Sequence, residues 1–183
     1  MKIVIGISGA SGAIYPFQLL SFLRKTDLEV SITCSPNGLR IFKEELGKDL
    51  TMFDYPIFAP QDFNAPFVSG SARYDQMIVL PCSMGTMGRI AHGISNDVLT
   101  RTADVFLKEK RKLILVPRDT PFSLIHIENM RLLSLAGASI IPAIPSFYSH
   151  PKSVEEVAFT VTSRVLDHMG VDNALMKRWQ EKG

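Results

Sequence analysis

Small and polar residues cluster in this sequence, and each cluster follows a short apolar run. The first is Gly6-Ile7-Ser8-Gly9-Ala10-Ser11-Gly12, at the end of Lys2–Ile7, which reads as a buried strand. A tight turn of small residues leads into a helix opening near Ala13 and presents backbone N–H groups at the positive end of the helix dipole. That arrangement binds phosphate. The spacing limits which phosphate. Ser8 stands where the middle glycine of G-x-G-x-x-G would be, and G-x-x-x-x-G-K-[ST] is missing. A dinucleotide site also wants an acid about 20 positions on, at the end of the next strand. Glu29 lies at the wrong end of the second strand, Glu29–Cys34, and the far end offers the Ser35 hydroxyl. The pattern argues against NAD and leaves room for a mononucleotide whose phosphate is held by the loop and Ser35. The turn alone also fits simple glycine packing.

Further clusters repeat the arrangement. Pro81-Cys82-Ser83-Met84-Gly85-Thr86 follows the apolar run Gln76–Leu80, and Pro117-Arg118-Asp119-Thr120-Pro121 follows Leu113–Val116. Phe147-Tyr148-Ser149-His150-Pro151 comes shortly after Ser139–Ile141. Junctions at the carboxyl ends of parallel strands line one crevice. Serines, arginines, a lysine and a tyrosine suit an anion better than an acyl group. His92, His126, His150 and His168 are scattered without metal-ligand spacing, so no metal is expected, and no nucleophile elbow or triad stands out. Glu44 and Glu45, near the end of a helix over Pro36–Leu46, read as a solvated charged face.

The elements that carry these clusters alternate. Helices are expected over Ala13–Lys25, Pro36–Leu46, Met84–Gly93, Asn96 or Asp97 to Arg111, Ser123–Ala136, from the capping box Ser153-Val154-Glu155-Glu156 onward, and over Asp172–Lys182. Strands separate them, which predicts an α/β fold with a mostly parallel sheet covered on both faces. At 183 residues the chain reads as one domain, able to bury roughly 70% of its unfolded surface. Hydrophobic content of 46% and charged content of 21% exclude a disordered class. A net charge of +2 gives no argument for nucleic acid. No apolar run reaches the ~18 residues of a membrane span. Two unpaired cysteines and no recognisable leader suggest a cytoplasmic protein. Gly47–Ser71 is irregular and carries Phe53, Tyr55, Phe58, Phe63 and Phe67, which suggests cover by a neighbouring subunit or a flat ligand. With the basic helix bearing Arg101 and Lys108, it points to a protein that is not a monomer.

Together, Gly6–Tyr15, Asp62–Ser71 (DFNAPFVSGS), Pro81–Thr86, Leu99–Lys112 (LTRTADVFLKEKRK), Pro117–Met130 (PRDTPFSLIHIENM), Ala136–Pro151 and the arginine in Ser163–Asp167 resemble the UbiX-type flavin prenyltransferases over nearly the whole chain. The resemblance implies a Rossmann-like (flavodoxin-like) three-layer sandwich. It implies FMN as the bound flavin, contacted by Gly9, Ala10, Ser11, Ser35, Ser83, Met84, Gly85, Thr86 and Arg118. It implies dimethylallyl monophosphate held by Arg101, Lys108, Tyr148 and Arg164, with Trp179 also at the site. Reduced FMN would receive the dimethylallyl group at N5 and close a ring at the neighbouring carbon C6, without a metal. Ser11 and Glu45 would relay a proton, Lys108 would assist the leaving phosphate, and Asp119 would either transfer a proton during ring closure or serve only as an ion-pair partner for Arg118. Asp119 stands where the family usually has glutamate, so its reach is shorter by about 1.5 Å, one C–C bond. The resemblance further implies a homo-oligomer, a dodecamer, with sites at subunit boundaries and the C-terminal helix 172–182 on a neighbour. The product would pass to a UbiD-type decarboxylase. The competing readings are a flavin-dependent decarboxylase on the same fold and a non-catalytic FMN-binding subunit.

Overall fold

The structure, a computed structural model, describes residues 1–176. Six strands form one parallel sheet: β1 (Lys2–Ile7), β2 (Glu29–Cys34), β3 (Ile57–Phe58), β4 (Gln76–Cys82), β5 (Lys112–Pro117) and β6 (Ser139–Ile140). Their spatial order is β3-β2-β1-β4-β5-β6. The chain winds outward from β1 in both directions, so the order reverses between β1 and β4. That is where open α/β sheets leave a ligand crevice. Setting aside the two-residue β3, the remaining five follow the flavodoxin-like order.

Helices cover both faces, as expected from strands that are apolar on both sides. They are α1 (Ile14–Leu23), α2 (Pro36–Leu46), α3 (Met84–Ala91), α4 (Val98–Lys108), α5 (Leu124–Leu135) and α6 (Val154–Met169). Ile3, Ile5 and Ile7 of β1 pack with Leu19 and Leu20 of α1 and with Val161 and Val165 of α6. Val4 of the same strand faces the other way, with Met77, Val79, Met87 of α3, and Leu99, Ala103 and Phe106 of α4. The period-2 alternation of a strand therefore sorts the helices into two layers. In particular, α4 and α6 lie on opposite faces of the sheet.

Some expectations need correction. β4 continues through Pro81 to Cys82, with a register shift against β5 between Val79 and Cys82 where the proline interrupts the ladder. The segment 47–71 holds a 3₁₀ turn (Leu50–Phe53) and β3, which pairs with β2 through Ile32 and Ile57. Phe53 and Phe67 are buried in this chain's own core, and Phe67 makes edge-on contacts with Phe58 and Tyr74. For those two rings the cover is intramolecular rather than a neighbour or a flat ligand, while Phe63 stays exposed. No helix begins at Asp172: residues 172–176 are irregular, and the remainder of the expected helix, with Trp179, lies outside the described residues. Among the described residues no helix is long and apolar enough to cross a membrane.

Candidate active site

Four loops meet at the carboxyl end of the sheet, and backbone groups fix three of them to one another. Ser8, almost fully buried, ties the β1 loop to the β4 loop. Its hydroxyl donates to the Pro81 carbonyl (2.9 Å) and accepts from the Ser83 N–H (2.7 Å). Ser83 in turn caps α3, accepting from the Thr86 N–H (3.3 Å), and its hydroxyl lies 3.0 Å from that of Thr86. Ser35 caps α2 by accepting from the Gly38 N–H (3.0 Å), while its own N–H donates to the Ile7 carbonyl (2.9 Å). Gly38 is required there, because a Cβ would sit 2.8 Å from that carbonyl oxygen. In sequence Ser8 marks only the position of a missing glycine; in the fold it is the tie between two loops. Replacing it with alanine strands the part-buried Ser83 N–H, at a cost of about 1 kcal/mol. Urea unfolding of Ser8→Ala is therefore expected to show a lower midpoint with an unchanged slope.

Glu45 departs most from the sequence reading. Glu44 pairs with Arg40 in solvent, whereas Glu45, also exposed, reaches across to the start of α1. Its carboxylate accepts from the N–H groups of Gly12 (3.0 Å) and Ala13 (2.7 Å). The helix end proposed for a phosphate is thus filled by the chain's own anion, because a side chain of fixed charge meets the α1 N-terminus without losing translational freedom. Burial pushes the Glu45 carboxyl upward, but the Ser11 hydroxyl, the Ala13 and Gly12 N–H groups and the Arg118 charge outweigh it and hold it below the ordinary carboxylate range. A carboxyl lowered on folding stabilises the fold above its unfolded value and loses that contribution as pH falls through the folded one. Glu45→Gln is expected to flatten the acid limb of a stability–pH curve below about pH 4.3, the ordinary glutamate value, and to leave the neutral-to-alkaline limb parallel to wild type.

Arg118 leaves the end of β5 beside this carboxylate and beneath Gly12, whose positive φ of 115° brings the turn over it. Its Nε is buried with no partner among the described residues. An unpaired donor on a guanidinium is costly unless an acceptor arrives. Asp119 turns away and accepts from the Thr120 N–H (2.8 Å); it makes no ion pair with Arg118 among the described residues. Arg118, Asp119, Phe122 and Pro142–Pro145 border a cavity of about 340 Å³. A second cavity, about 490 Å³, opens at the end of β2 beside Ser35. Two recesses flanking small-residue loops, with one buried cationic donor unsatisfied, fit a flavin mononucleotide.

The remaining expected residues do not all converge. Arg101 and Lys108 lie on α4. Arg101 Nε donates to the Val68 carbonyl (3.3 Å), and Lys108 pairs with Glu109 (2.8 Å). Arg164 lies on α6, paired with Asp167 (2.9 Å). Tyr148 is in the loop after β6, which is tied to α6 where the Ser146 N–H donates to Thr160 Oγ1 (3.1 Å). Within one chain the four groups therefore split between the two faces of the sheet. Burial pushes the Cys34 and Cys82 thiols up to about 12, so neither is a nucleophile near neutral pH. His92 sits past the far end of α3, with Nε2 3.1 Å from Asn129 Oδ1, away from the crevice. Among the described residues no three His, Cys, Asp or Glu side chains group as a metal site.

A parallel sheet with this reversal point and these loops defines a flavodoxin-like, flavin-binding protein class, and residues 1–166 match the family model described as Flavoprotein. The flavin prenyltransferase UbiX of Methanocaldococcus jannaschii is 45% identical over 98% of both chains. Two solved structures superpose with a TM-score of 0.95. One is a dodecameric FMN-dependent UbiX-like decarboxylase from Escherichia coli O157:H7 (39% identity, 99% of this chain and 100% of that one). The other is AnUbiX (PadA1) in complex with FMN and dimethylallyl pyrophosphate (38% identity, 100% and 98%). The chain belongs to the Flavoprotein family and, within it, to the UbiX-type flavin prenyltransferases.

Proposed function

We propose that this chain transfers the dimethylallyl group of dimethylallyl monophosphate to reduced FMN, and that the observation carrying this assignment is Arg118, a half-buried cation whose buried Nε is unpartnered among the described residues, between the Glu45-capped turn and the β5 loop. When bound, reduced FMN supplies the nucleophilic ring positions that take up the allyl unit. The protein's part is to hold, orient and exchange protons. Gly9, Ala10 and Ser11 form one wall, Ser83, Met84, Gly85 and Thr86 a second, and Ser35 and Arg118 the two ends. Ser11 and Glu45 are already in hydrogen-bond contact, so a proton can pass between hydroxyl and carboxylate at the crevice wall. Asp119 borders the cavity on the far side of Arg118 and is the second proton-transfer group. Arg101, Lys108, Tyr148 and Arg164 bind the donor's phosphate and stabilise it as it leaves.

Because α4 and α6 cover opposite faces, this anion site is completed by different subunits of a closed homo-oligomer. The dodecamer of the E. coli neighbour is the assembly proposed here. The surface supports it: Leu124, Ile125 and Leu135 of α5 are each at least 70% exposed, an apolar helix that needs cover. The product is passed to a UbiD-type decarboxylase. The test is anaerobic incubation with reduced FMN and dimethylallyl monophosphate, followed by mass spectrometry of the released flavin. One dimethylallyl unit added to FMN is expected; unmodified flavin after full turnover time overturns the assignment.

A further inference from the structure

Gly70 is not glycine for the sake of its backbone. Its φ lies outside the left-handed region that favours glycine. The reason is space. A Cβ at this position would overlap Glu109 Oε1 and stand 2.9 Å from Lys108 Nζ. The collision differs in kind from the one at Gly38, where a Cβ would meet a backbone carbonyl that cannot yield. At Gly70 it meets only the charged tips of two long side chains at the end of α4, and these swing aside at little cost. The backbone of Gly70 is the less free partner. Phe67 is buried in the core, the Val68 carbonyl accepts from Arg101 Nε (3.3 Å), and the Gly70 carbonyl accepts from Arg111 Nη2. A side chain at position 70 would therefore move the Lys108 ammonium rather than the loop.

We propose that Gly70 is a positioning residue for Lys108: its missing side chain leaves the space in which the ammonium is held, and so sets how well the prenyl donor's phosphate is gripped. The inference rests on the placement of Lys108 at that phosphate. Lys108 Nζ donates to Glu109 Oε1 (2.8 Å). Lys108, with the Arg111 charge adding to it, holds the Glu109 carboxyl below its ordinary range. One carboxylate is thus shared by two cations, so the cluster keeps a net positive charge. An ammonium has three N–H donors, and Glu109 takes one, which leaves two for a phosphate. Gly70 changes none of these charges. It fixes where one of them stands.

The test compares the wild-type assembly with Gly70→Ala, Lys108→Ala and the double variant. It measures kcat/KM for dimethylallyl monophosphate at saturating reduced FMN, together with the FMN dissociation constant and the urea midpoint of each. Gly70→Ala is expected to lower kcat/KM about tenfold through KM, the lower end for a hydrogen bond to a charged group. Its FMN affinity and urea midpoint should match wild type. In the double variant Gly70→Ala should add nothing to Lys108→Ala, because the tip that it displaces is gone. Independent sites would instead multiply their losses. A merely structural role for Gly70 would not give this lack of additivity. Gly70→Ala with wild-type kcat/KM, or with a loss that multiplies with that of Lys108→Ala, overturns the inference and leaves the donor site standing. So does a Gly70→Ala that fails to fold, since its Cβ would then meet more than movable tips. Lys108→Ala with wild-type kcat/KM overturns the placement of Lys108 and the inference with it.

Discussion

Two inactive variants, Arg101→Ala and Arg164→Ala, are expected to produce an active enzyme when co-assembled. On the proposed donor site each removes one cation from the phosphate, and loss of one such electrostatic group typically lowers turnover about 10²- to 10³-fold. The sheet separates the two arginines. Arg101 sits on α4 in the layer with Val98, Leu99 and Phe106, and Arg164 on α6 in the layer with Val161 and Val165. If a site takes Arg101 from one subunit and Arg164 from another, equal random mixing restores both at about a quarter of the sites, by independent assortment in a symmetric assembly. If both came from the same chain, every site would keep one lesion and activity would stay at the level of the parents. Differently tagged variants, co-expressed and purified through both tags, give the measurement. Rates no higher than those of the parents overturn the shared-site reading without touching the flavin crevice.

What the sequence made legible is local. Pro36–Leu46 is found at its expected bounds, because Ser35 as cap, Pro36 at the first turn and Gly47 in the left-handed region are all neighbours in sequence. The polar clusters after apolar runs mark the crevice loops for the same reason. Glu45 was not legible as a site residue from its own surroundings: its partners Gly12 and Ala13 lie more than thirty positions away, and its neighbour Glu44 has the same local context but faces solvent. Ser8 shares that character, since it acquires its role from a contact between the β1 and β4 loops. The two-residue β3 escaped because its pairing with β2 comes from the packing of the whole 47–71 segment rather than from a strand-length apolar run. The family resemblance groups Arg101, Lys108, Tyr148 and Arg164 at subunit boundaries, and the sheet that places α4 and α6 on opposite faces gives the physical reason that one chain does not bring them together.

The aromatic segment supplies the second large effect, on stability. Phe67 is fully buried, with ring centroids 5.0 Å from Phe58 and 5.5 Å from Tyr74 at near-perpendicular angles. It is the anchor that turns a proline-rich loop into part of the α4-side core, alongside Val4, Met77 and Ala103. Truncation to alanine removes the ring and both edge-on contacts and leaves a cavity that the surrounding strands cannot close, at a cost of about 3–5 kcal/mol. Phe67→Leu keeps most of the volume and is expected to cost less than half of that. Urea unfolding of the two variants beside wild type checks the order. A Phe67→Ala midpoint within error of wild type would mean that the segment is held by its turns alone. The substitution also reaches the proposed donor site, because the next residue, Val68, provides the carbonyl that holds Arg101 Nε, and Gly70 provides the one that receives the Arg111 guanidinium. Loosening Phe67 frees Arg101 before it frees any crevice loop, since the loops are tied by Ser8, Ser35 and Ser83 rather than by this segment. Under conditions where Phe67→Ala remains folded, its KM for the prenyl donor should therefore rise more than its dissociation constant for FMN.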